Sequence, residues 1–553
     1  MKKYILSFLI LACLAVVLVI SLPKENKIKE YNTEEIELAI YINDEETNKI
    51  PGKDSGYYYD REKSSCTTGA YINWDSISWS PVVQNMNEYK TRCELHFTTT
   101  YTEGILNGTD PILEEPLIPV TIESDGTVKR ADLESEWYSY ANKEWANAVI
   151  LFDESANANY QPGDTILESA IESYFVWIPK YRYQLWDLGQ YDSLTSIDTS
   201  KVHEIPIIFG DYNTSDDVDG ECATPMTSGA TGNCAVGDYM THPAFISIPS
   251  TGFWVGKFET GYRGATSTIE ASQNINDSSK IIIKPKVYNW RGIQVANAFY
   301  TSYDYQRDLD SHMMKNTEWG AVAYLQHCAY GSSTSVRINN NSDYITGYAA
   351  NNEPTCVWHG TSANDPCNQH CNDGSCNTAY PNSILASTTG NISGIFDMSG
   401  GGWELTMAVM LDEESNPMSG YSSASNSGFN GINYDGSVTV GYEWPDKKYY
   451  DTYTYATVDT QYQKRILGDA TAEMGPFVTE GSRKISSWYS DQASFVHNVY
   501  PWLMRGGEKI DGLDAGIFSF QRETGSFRSF RLILTLTVSE KGSGHVLQHI
   551  NSC

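Results

Sequence analysis

The stretch NISGIFDMSGGGWE, residues 391–404, carries the densest set of structural signals in the chain. Its three successive glycines, from Gly400 to Gly402, predict a tight turn or a close backbone approach, because glycine has no Cβ to clash. Trp403 follows directly and offers a large apolar anchor for that turn. The sequence therefore predicts an irregular loop, pinned by a buried tryptophan, around which the rest of the fold is organised.

Two acidic residues flank the glycine turn. Asp397 and Glu404 offer hard oxygen ligands, and the backbone carbonyl groups of Gly400 and Gly402 lie between them in the sequence. Carboxylates together with backbone carbonyls on an irregular loop are the ligands that Ca²⁺ selects. The alternative is a glycine turn with both acids in solvent, since the pattern D-x-x-G-x-G-x-E is not specific.

Length and composition restrict the class of protein. A chain of 553 residues predicts two or three domains. The 38 tyrosines and 43 glycines favour strands and long shaped loops over helix bundles. A net charge of −31 argues against nucleic acid or an anionic membrane surface as a partner. An exported protein that meets cations, sugars or basic surfaces fits this charge.

The N-terminus is an apolar run over residues 4–22, preceded by Lys2 and Lys3. Its length matches the thickness of a bilayer, so residues 1–22 are expected to form an uncleaved, single-pass anchor in the cell membrane with the rest of the chain outside. The alternative is a cleaved signal peptide and a secreted protein. Residues 23–45 are charged and poor in aromatics, and they predict a stalk.

Ten of the eleven cysteines follow this N-terminal run. An even number of cysteines in an exported chain predicts disulfides. Cys66 with Cys93, and Cys222 with Cys234, are the natural local pairs. The sequence leaves the pairing of the remaining six open: Cys328, Cys356, Cys367, Cys371, Cys376 and Cys553.

The chain after the stalk divides into four parts. Residues 46–105 contain short runs rich in Tyr, Trp and Thr and predict a small β module. Residues 106–164 predict a connecting α/β segment, residues 165–540 one large domain, and residues 541–553 a tail. The connecting segment carries four aromatic residues near helical spacing, which are expected to be core: Trp137, Tyr138, Tyr140 and Trp145.

Three local elements are readable in these parts. LIPVTIESDGTV predicts a hairpin whose turn lies at Asp125 and Gly126. TEWGAVAYLQH predicts an apolar helix, with Thr317 as its N-cap and Glu318 in its first turn. SFRSFRLILTLTV is the most strand-like stretch of the chain.

Six separated pieces line up in order with the segments of one family. They resemble the formylglycine-generating enzyme and sulfatase-modifying-factor superfamily, a variant of the C-type lectin fold. The resemblance implies an α+β fold, in which a C-type-lectin-like large domain follows the N-terminal transmembrane helix and the small β module in the sequence. The pieces are WIPKYRY (177–183), FWVGKFET (253–260), NTEWGAVAY (316–324), the central stretch, PWLMRGG (501–507) and SFR (529–531).

The resemblance implies a calcium site in this chain, whereas the copper site of the formylglycine-generating enzymes is not expected. The family holds a calcium ion in the central loop, and its ligands fall on Asp397, Gly400, Gly402 and Glu404. The enzymes that make formylglycine also use a pair of cysteines after the segment that resembles PWLMRGG, and soft thiolates are what Cu(I) needs. This chain has no cysteine between residues 505 and 531, and Asp511 and Gly516 stand at about those places. Formylglycine chemistry is therefore not expected.

The sequence predicts a membrane-anchored extracellular protein, on a bacterial surface, that binds or adheres through a calcium-stabilised lectin-like domain. The expected partner is an extracellular glycan or protein. The expected contacts are aromatic and basic side chains near the C-terminus, namely Trp488, Tyr489, Trp502 and Arg505. Two alternatives stand beside it: a divergent oxidoreductase of the sulfatase-modifying-factor type with altered metal ligands, and a structural cell-surface protein.

Overall fold

A computed structural model describes most of the large domain and the backbone of five strands between residues 35 and 98. The chain divides into two compact units, residues 1–107 with 538–553, and residues 108–537. In the second unit the described residues are 110–188, 203–210, 235–246, 251–333, 336, 380–382, 384–457, 465–474, 488–489, 491–508, 515–526 and 528–536. The predicted anchor over residues 1–22 and the tail over residues 541–553 lie outside them.

The first unit contains two antiparallel sheets. In one, β5 lies between β1 and β4, and the other is the hairpin of β2 and β3. β1 begins inside the segment that the sequence predicts as a stalk. The strands are β1 (Glu35–Asn43), β2 (Tyr57–Asp60), β3 (Ser65–Thr68), β4 (Ile77–Asn85) and β5 (Lys90–Thr98).

The second unit is built on an eight-stranded sheet in the order β17-β25-β14-β10-β8-β6-β7-β9. Each neighbouring pair is antiparallel. Its central strands are almost wholly buried, as expected for a sheet that is covered on both faces. Its strands are β6 (Ile118–Ile122), β7 (Val128–Arg130), β8 (Asn147–Leu151), β9 (Thr165–Ile166), β10 (Ile171–Pro179), β14 (Gly252–Gly256), β17 (His312–Met313) and β25 (Leu532–Leu534).

The segment predicted to connect the domains is part of this sheet. The predicted hairpin is confirmed as β6 and β7, with Gly126 at a φ of 87° in its turn. The predicted helical element around residues 137–145 is wrong, because Ser139 and Glu144 form a β-bridge there. Tyr140 and Trp145 are nevertheless core, as expected from their size. Aromatic spacing alone did not distinguish a helix from a turn that enters a strand.

A second sheet of five strands carries the central loop. Its order is β21-β18-β22-β23, and β24 also pairs with β18. The stretch predicted as one terminal strand is divided at Arg531, so that β24 joins this sheet while β25 joins the first. The strands are β18 (Glu404–Met410), β21 (Asp451–Tyr453), β22 (Trp502–Gly506), β23 (Gly516–Glu523) and β24 (Ser529–Phe530).

Two α-helices belong to the described part of the second unit, α1 (Val295–Tyr303) and α2 (Asn316–Gln326). α2 is the predicted helix, but its N-cap is Lys315, whose backbone N–H donates to the Glu318 carboxylate at 2.8 Å. Thr317 lies inside the helix and its N–H donates to Asp451 at 2.7 Å. Neither helix has the length and hydropathy needed to cross a bilayer, a statement that covers the described residues alone.

Short elements complete the unit, and the described part as a whole is mostly sheet. Its C-type-lectin-like architecture stays a prediction. The remaining strands are β11 (Tyr181–Gln184), β12 (Ile207–Phe209), β13 (Tyr239–Thr241), β15 (Gly261–Tyr262), β16 (Ile281–Ile282), β19 (Gly431–Ile432) and β20 (Val438–Thr439). Short 3₁₀ helices occur at Glu154–Asn159, Glu168–Ala170, Pro243–Phe245, Ser278–Lys280, Arg307–Leu309, Ile384–Ala386 and Lys447–Tyr449.

Candidate functional site

The glycine loop ahead of β18 makes the tight turn that the sequence predicts. Gly400 and Gly401 have φ values of 88° and 78°, and the N–H of Gly400 donates to the carbonyl of Gly506 at 2.9 Å. Trp403 is buried beside them. Gly402 is needed for a different reason, because a Cβ there would lie 2.9 Å from the Glu259 carboxylate. The loop is therefore a buried junction where backbone and side chains meet closely.

Three carboxylates meet at this junction, from Glu259, Asp397 and Glu404, and all are buried. Arg531 lies among them as a fully buried cation. Its guanidinium donates to both oxygens of Glu404, at 2.6 and 2.9 Å, and to the carbonyl of Gly256 at 2.8 Å. Such a bidentate pair is strong and fixes the geometry of both side chains. Arg531 thus links the start of β18 to the junction between the two sheets.

The other two carboxylates are held by amide groups. Glu259 accepts the N–H of Gly402 at 3.1 Å and the Asn289 amide at 2.7 Å. Asp397 has a φ of 64°, and its Oδ2 accepts the N–H of Glu259 at 3.3 Å. Its buried Oδ1 has no hydrogen-bond partner among the described residues. Burial raises the pKa of Asp397 to about 7, against the opposing effect of Arg531. Burial likewise raises the pKa of Glu404.

The predicted calcium ligands can be compared with this geometry. Asp397 suits a cation, because its Oδ1 is a hard, buried oxygen that no other described residue bonds to. Glu404 does not, because Arg531 occupies both of its oxygens. The four residues therefore do not fit calcium as a set in this arrangement. Among the residues with described positions, no group of three or more acidic, His or Cys side chains is arranged to hold a metal. Calcium at this loop stays a prediction.

A second buried cation anchors the N-terminal part of the loop. The Lys257 ammonium donates to the carbonyls of Ile392 and Gly394, at 2.7 and 2.8 Å, and to Asn147 Oδ1 at 2.8 Å. Burial lowers its pKa well below the usual range. Sequence reasoning missed this role, because a lysine directly after an apolar strand gives no sign of the acceptors that it will meet.

Two of the four predicted ligand contacts are part of the core. Trp502 and Arg505 lie in β22 and are fully buried. The indole of Trp502 donates to the carbonyl of Ser419 at 3.1 Å, and the Arg505 guanidinium reaches the carbonyl of Ala470 at 3.3 Å. Burial lowers the pKa of Arg505 to about 10. This corrects the expected ligand surface, since both side chains bond to the interior of the unit.

The other two predicted contacts belong to an aromatic cluster. Trp488 is buried and packs on Trp186 and His327, with ring centroids 5.1 and 4.8 Å away. Tyr489 is half-buried and bonds through its hydroxyl to His327. The four residues therefore do not form the exposed surface that the sequence suggested, because the strand and the cluster turn them inward.

The cysteine predictions fall mostly outside the described residues. This applies to the side chains of Cys66 and Cys93 and to the whole of Cys222 and Cys234. Cys328 is described; it is a buried free thiol, and burial raises its pKa to about 12. A thiol in that state is a poor nucleophile and packs as a small apolar group.

An exposed apolar surface lies elsewhere, on the β19–β20 hairpin and the loops beside it. Val440, Val438 and Ile432 are 91%, 70% and 58% exposed, while Asn433 and Thr439 are only 2% and 7% exposed. The hairpin therefore turns its polar residues inward and its apolar residues outward. We call the exposed set the hairpin patch: Tyr421, Ile432, Tyr434, Val438, Val440 and Tyr442.

Hydrogen bonds hold the hairpin patch in place. Beneath it, Asn433 Nδ2 donates to the hydroxyl of Thr439 at 2.9 Å. The N–H of Tyr434 donates to the carbonyl of Gly420 at 2.8 Å. Tyr442 stacks on another tyrosine, Tyr300, at 4.7 Å between ring centroids. The patch is thus presented by a backbone and by rings whose positions are fixed before any ligand arrives.

Comparison of the sequence with models of protein families gives no match, and comparison with curated proteins gives none either.

Proposed function

We propose that this chain is a membrane-anchored extracellular protein of a bacterial surface that binds a glycan or protein ligand through the hairpin patch. The observation that carries the proposal is the inverted pattern of β19 and β20. Antiparallel strands at a surface normally place apolar residues inward and polar residues outward. Here Asn433 and Thr439 are inside, and Val438 and Val440 are outside.

The inversion has a free-energy cost that a ligand can recover. Burying one valine or isoleucine side chain stabilises a protein by about 1.5–3 kcal/mol relative to leaving it in water. The hairpin patch leaves three such side chains and parts of three tyrosines in solvent. Ile432 pairs with Val438 across the hairpin, and the rings of Tyr421 and Tyr434 stack with their centroids 6.1 Å apart. Exposed apolar groups that stand singly are normal, whereas a contiguous group marks an interaction site. Tyrosine is also enriched where proteins meet their partners.

Three features of the sequence support the extracellular placement. They are the apolar run over residues 4–22 next to two lysines, the ten cysteines that follow it, and the net charge of −31. Together they favour a chain held at the outer face of a membrane.

The proposal is tested by binding of the full chain, in detergent micelles, to arrays of glycans and of surface proteins. The variant Val438→Thr with Val440→Thr keeps β-branched side chains and makes the patch polar. The matched control is Ile269→Thr, which alters a side chain that is 82% exposed and lies outside the hairpin patch. We expect the wild-type chain and the control to bind the same array members, and the hairpin variant to lose about tenfold in affinity for two removed apolar contacts.

Two results would count against the proposal. A wild-type chain that binds nothing on either array rejects a ligand-binding role. Binding that is equal in the wild-type chain and the hairpin variant rejects the hairpin patch as the site.

A further inference from the structure

A surface cleft of about 370 Å³ lies between the hairpin patch and the first turn of α1. That volume is within the range of small-molecule sites in proteins. None of the described residues that line it is charged, and they combine carboxamides with one aromatic ring and one aliphatic group. The lining residues that the inference uses are Gln294, Asn297, Asn426, Thr439, Val440 and Tyr442.

The carboxamides of Gln294 and Asn297 are both oriented by Asn274, which lies beside the cleft and does not line it. Asn274 Nδ2 donates to Gln294 Oε1 at 2.8 Å, and Asn274 Oδ1 accepts from Asn297 Nδ2 at 2.8 Å. Gln294 Nε2 donates to the carbonyl of Asn426 at 3.2 Å. This network fixes which end of each amide is nitrogen and which is oxygen. Within the described part of the chain, Asn297 Oδ1 accepts no hydrogen bond and faces a ligand as an acceptor.

A hydroxyl and a ring complete the set of groups. The Thr439 oxygen already accepts from Asn433, so its hydrogen remains available for donation. Tyr442 rests on Tyr300, whose own hydroxyl donates to the carbonyl of Glu443 at 3.0 Å. The ring of Tyr442 is therefore a supported, flat wall beside neutral donors and acceptors.

On the basis of the proposed function, we propose that this cleft binds one neutral sugar ring of a glycan. A pyranose has a face of C–H groups, which packs on the negative face of an aromatic ring. Its hydroxyl groups both donate and accept, and they pair with amide oxygens, amide N–H groups and a threonine hydroxyl. A charged ligand finds no opposite charge in this lining, and the net charge of −31 disfavours an anion further.

The test measures binding of neutral sugars to the full chain in detergent micelles by saturation-transfer NMR. The probes are glucose, galactose, mannose, N-acetylglucosamine and disaccharides of each, with glucuronic acid and galactose 6-sulfate as acidic counterparts. We expect at least one neutral probe to bind. Tyr442→Ala should weaken it about tenfold through loss of the stacking wall, and Asn297→Ala about fivefold through loss of one acceptor.

Two variants serve as controls for these substitutions. Tyr442→Phe keeps the ring and should retain binding. Ile269→Thr alters an exposed side chain that lies outside both the hairpin patch and the cleft, and it should leave sugar binding unchanged. Matching circular dichroism spectra of all variants establish that each is folded.

Each other outcome overturns the inference. Binding of the acidic probes alone, or neutral binding that Tyr442→Ala and Asn297→Ala leave intact, rejects the cleft as a neutral-sugar site. Binding of a protein partner through the hairpin patch with no sugar bound also rejects it, while the proposed function stands. A chain that binds neither sugar nor protein rejects both.

Discussion

Removal of the Arg531 guanidinium should destabilise the large unit more than any exposed ion pair does. In Arg531→Met the side chain keeps much of its length but loses two bonds to Glu404 and one to the carbonyl of Gly256. Glu404 then remains buried beside Asp397 and Glu259 without its cation. Breaking a buried pair in this way costs about 3–5 kcal/mol, because the buried Glu404 carboxyl then either carries an uncompensated charge or takes up a proton and loses its bonds to a cation. We expect the free energy of unfolding to fall by that amount.

The assay is urea unfolding of the full chain, followed by tryptophan fluorescence. The control is Lys129→Met, which breaks a pair with Glu123 whose side chains are 40% and 52% exposed. Such pairs contribute about 0–1 kcal/mol. The double variant Arg531→Met with Glu404→Gln should recover part of the loss, since it removes the unpaired charge.

The reasoning is refuted if Arg531→Met costs no more than Lys129→Met. It is also refuted if the double variant is as unstable as the sum of the two single variants. Additivity would mean that the two side chains do not act as a pair.

Three further predictions concern the same junction. Gly402→Ala should lower the free energy of unfolding by about 1–3 kcal/mol, because its Cβ would overlap Glu259, and urea unfolding measures this. The pKa of Asp397 is raised to about 7, so the folded state holds a proton that the unfolded state releases near pH 4. Unfolding free energy should therefore fall as the pH rises from about 4 to above 7, and less so in Asp397→Asn. If calcium binds the loop, Ca²⁺ at 100 times its dissociation constant should add about 2.7 kcal/mol at pH 8, and EDTA should remove it. Equal stability with Ca²⁺ and with EDTA would reject the predicted site.

Local signals in the sequence were reliable where one physical cause dominates. Gly126 and Gly400 take the positive φ values expected of turn glycines, and the α2 helix forms where an apolar run follows an acidic first turn. The N-cap was misplaced because the capping box uses the backbone N–H of Lys315, and a backbone group can be supplied by any residue but proline.

Contacts between residues that are distant in the sequence could not be predicted from it. Arg531 stands in a strand-like run, yet it marks the point where the chain leaves one sheet for the other. Its partner Glu404 is distant in sequence, so no local sequence pattern predicts the ion pair between them. Trp502 and Arg505 were expected to meet a ligand because of their residue types, but their positions in a central strand bury them.

The hairpin patch shows a third limit. Alternation in the stretch INYDGSVTV, residues 432–440, indicates two strands around a turn at Asp435 and Gly436. Alternation does not say which face is buried. The usual rule would place Ile432 and Val438 inside, whereas the structure buries the neighbouring Asn433 and Thr439. This departure from the usual rule is the observation on which the proposed function rests.

The most direct measurement of the central claim is hydrogen–deuterium exchange of the full chain with and without the ligand that binds best on the arrays. Amides on a surface that a ligand covers exchange more slowly. The account predicts protection over residues 428–442 and the first turn of α1. Protection confined to residues 488–505, with no change in the hairpin, would contradict it.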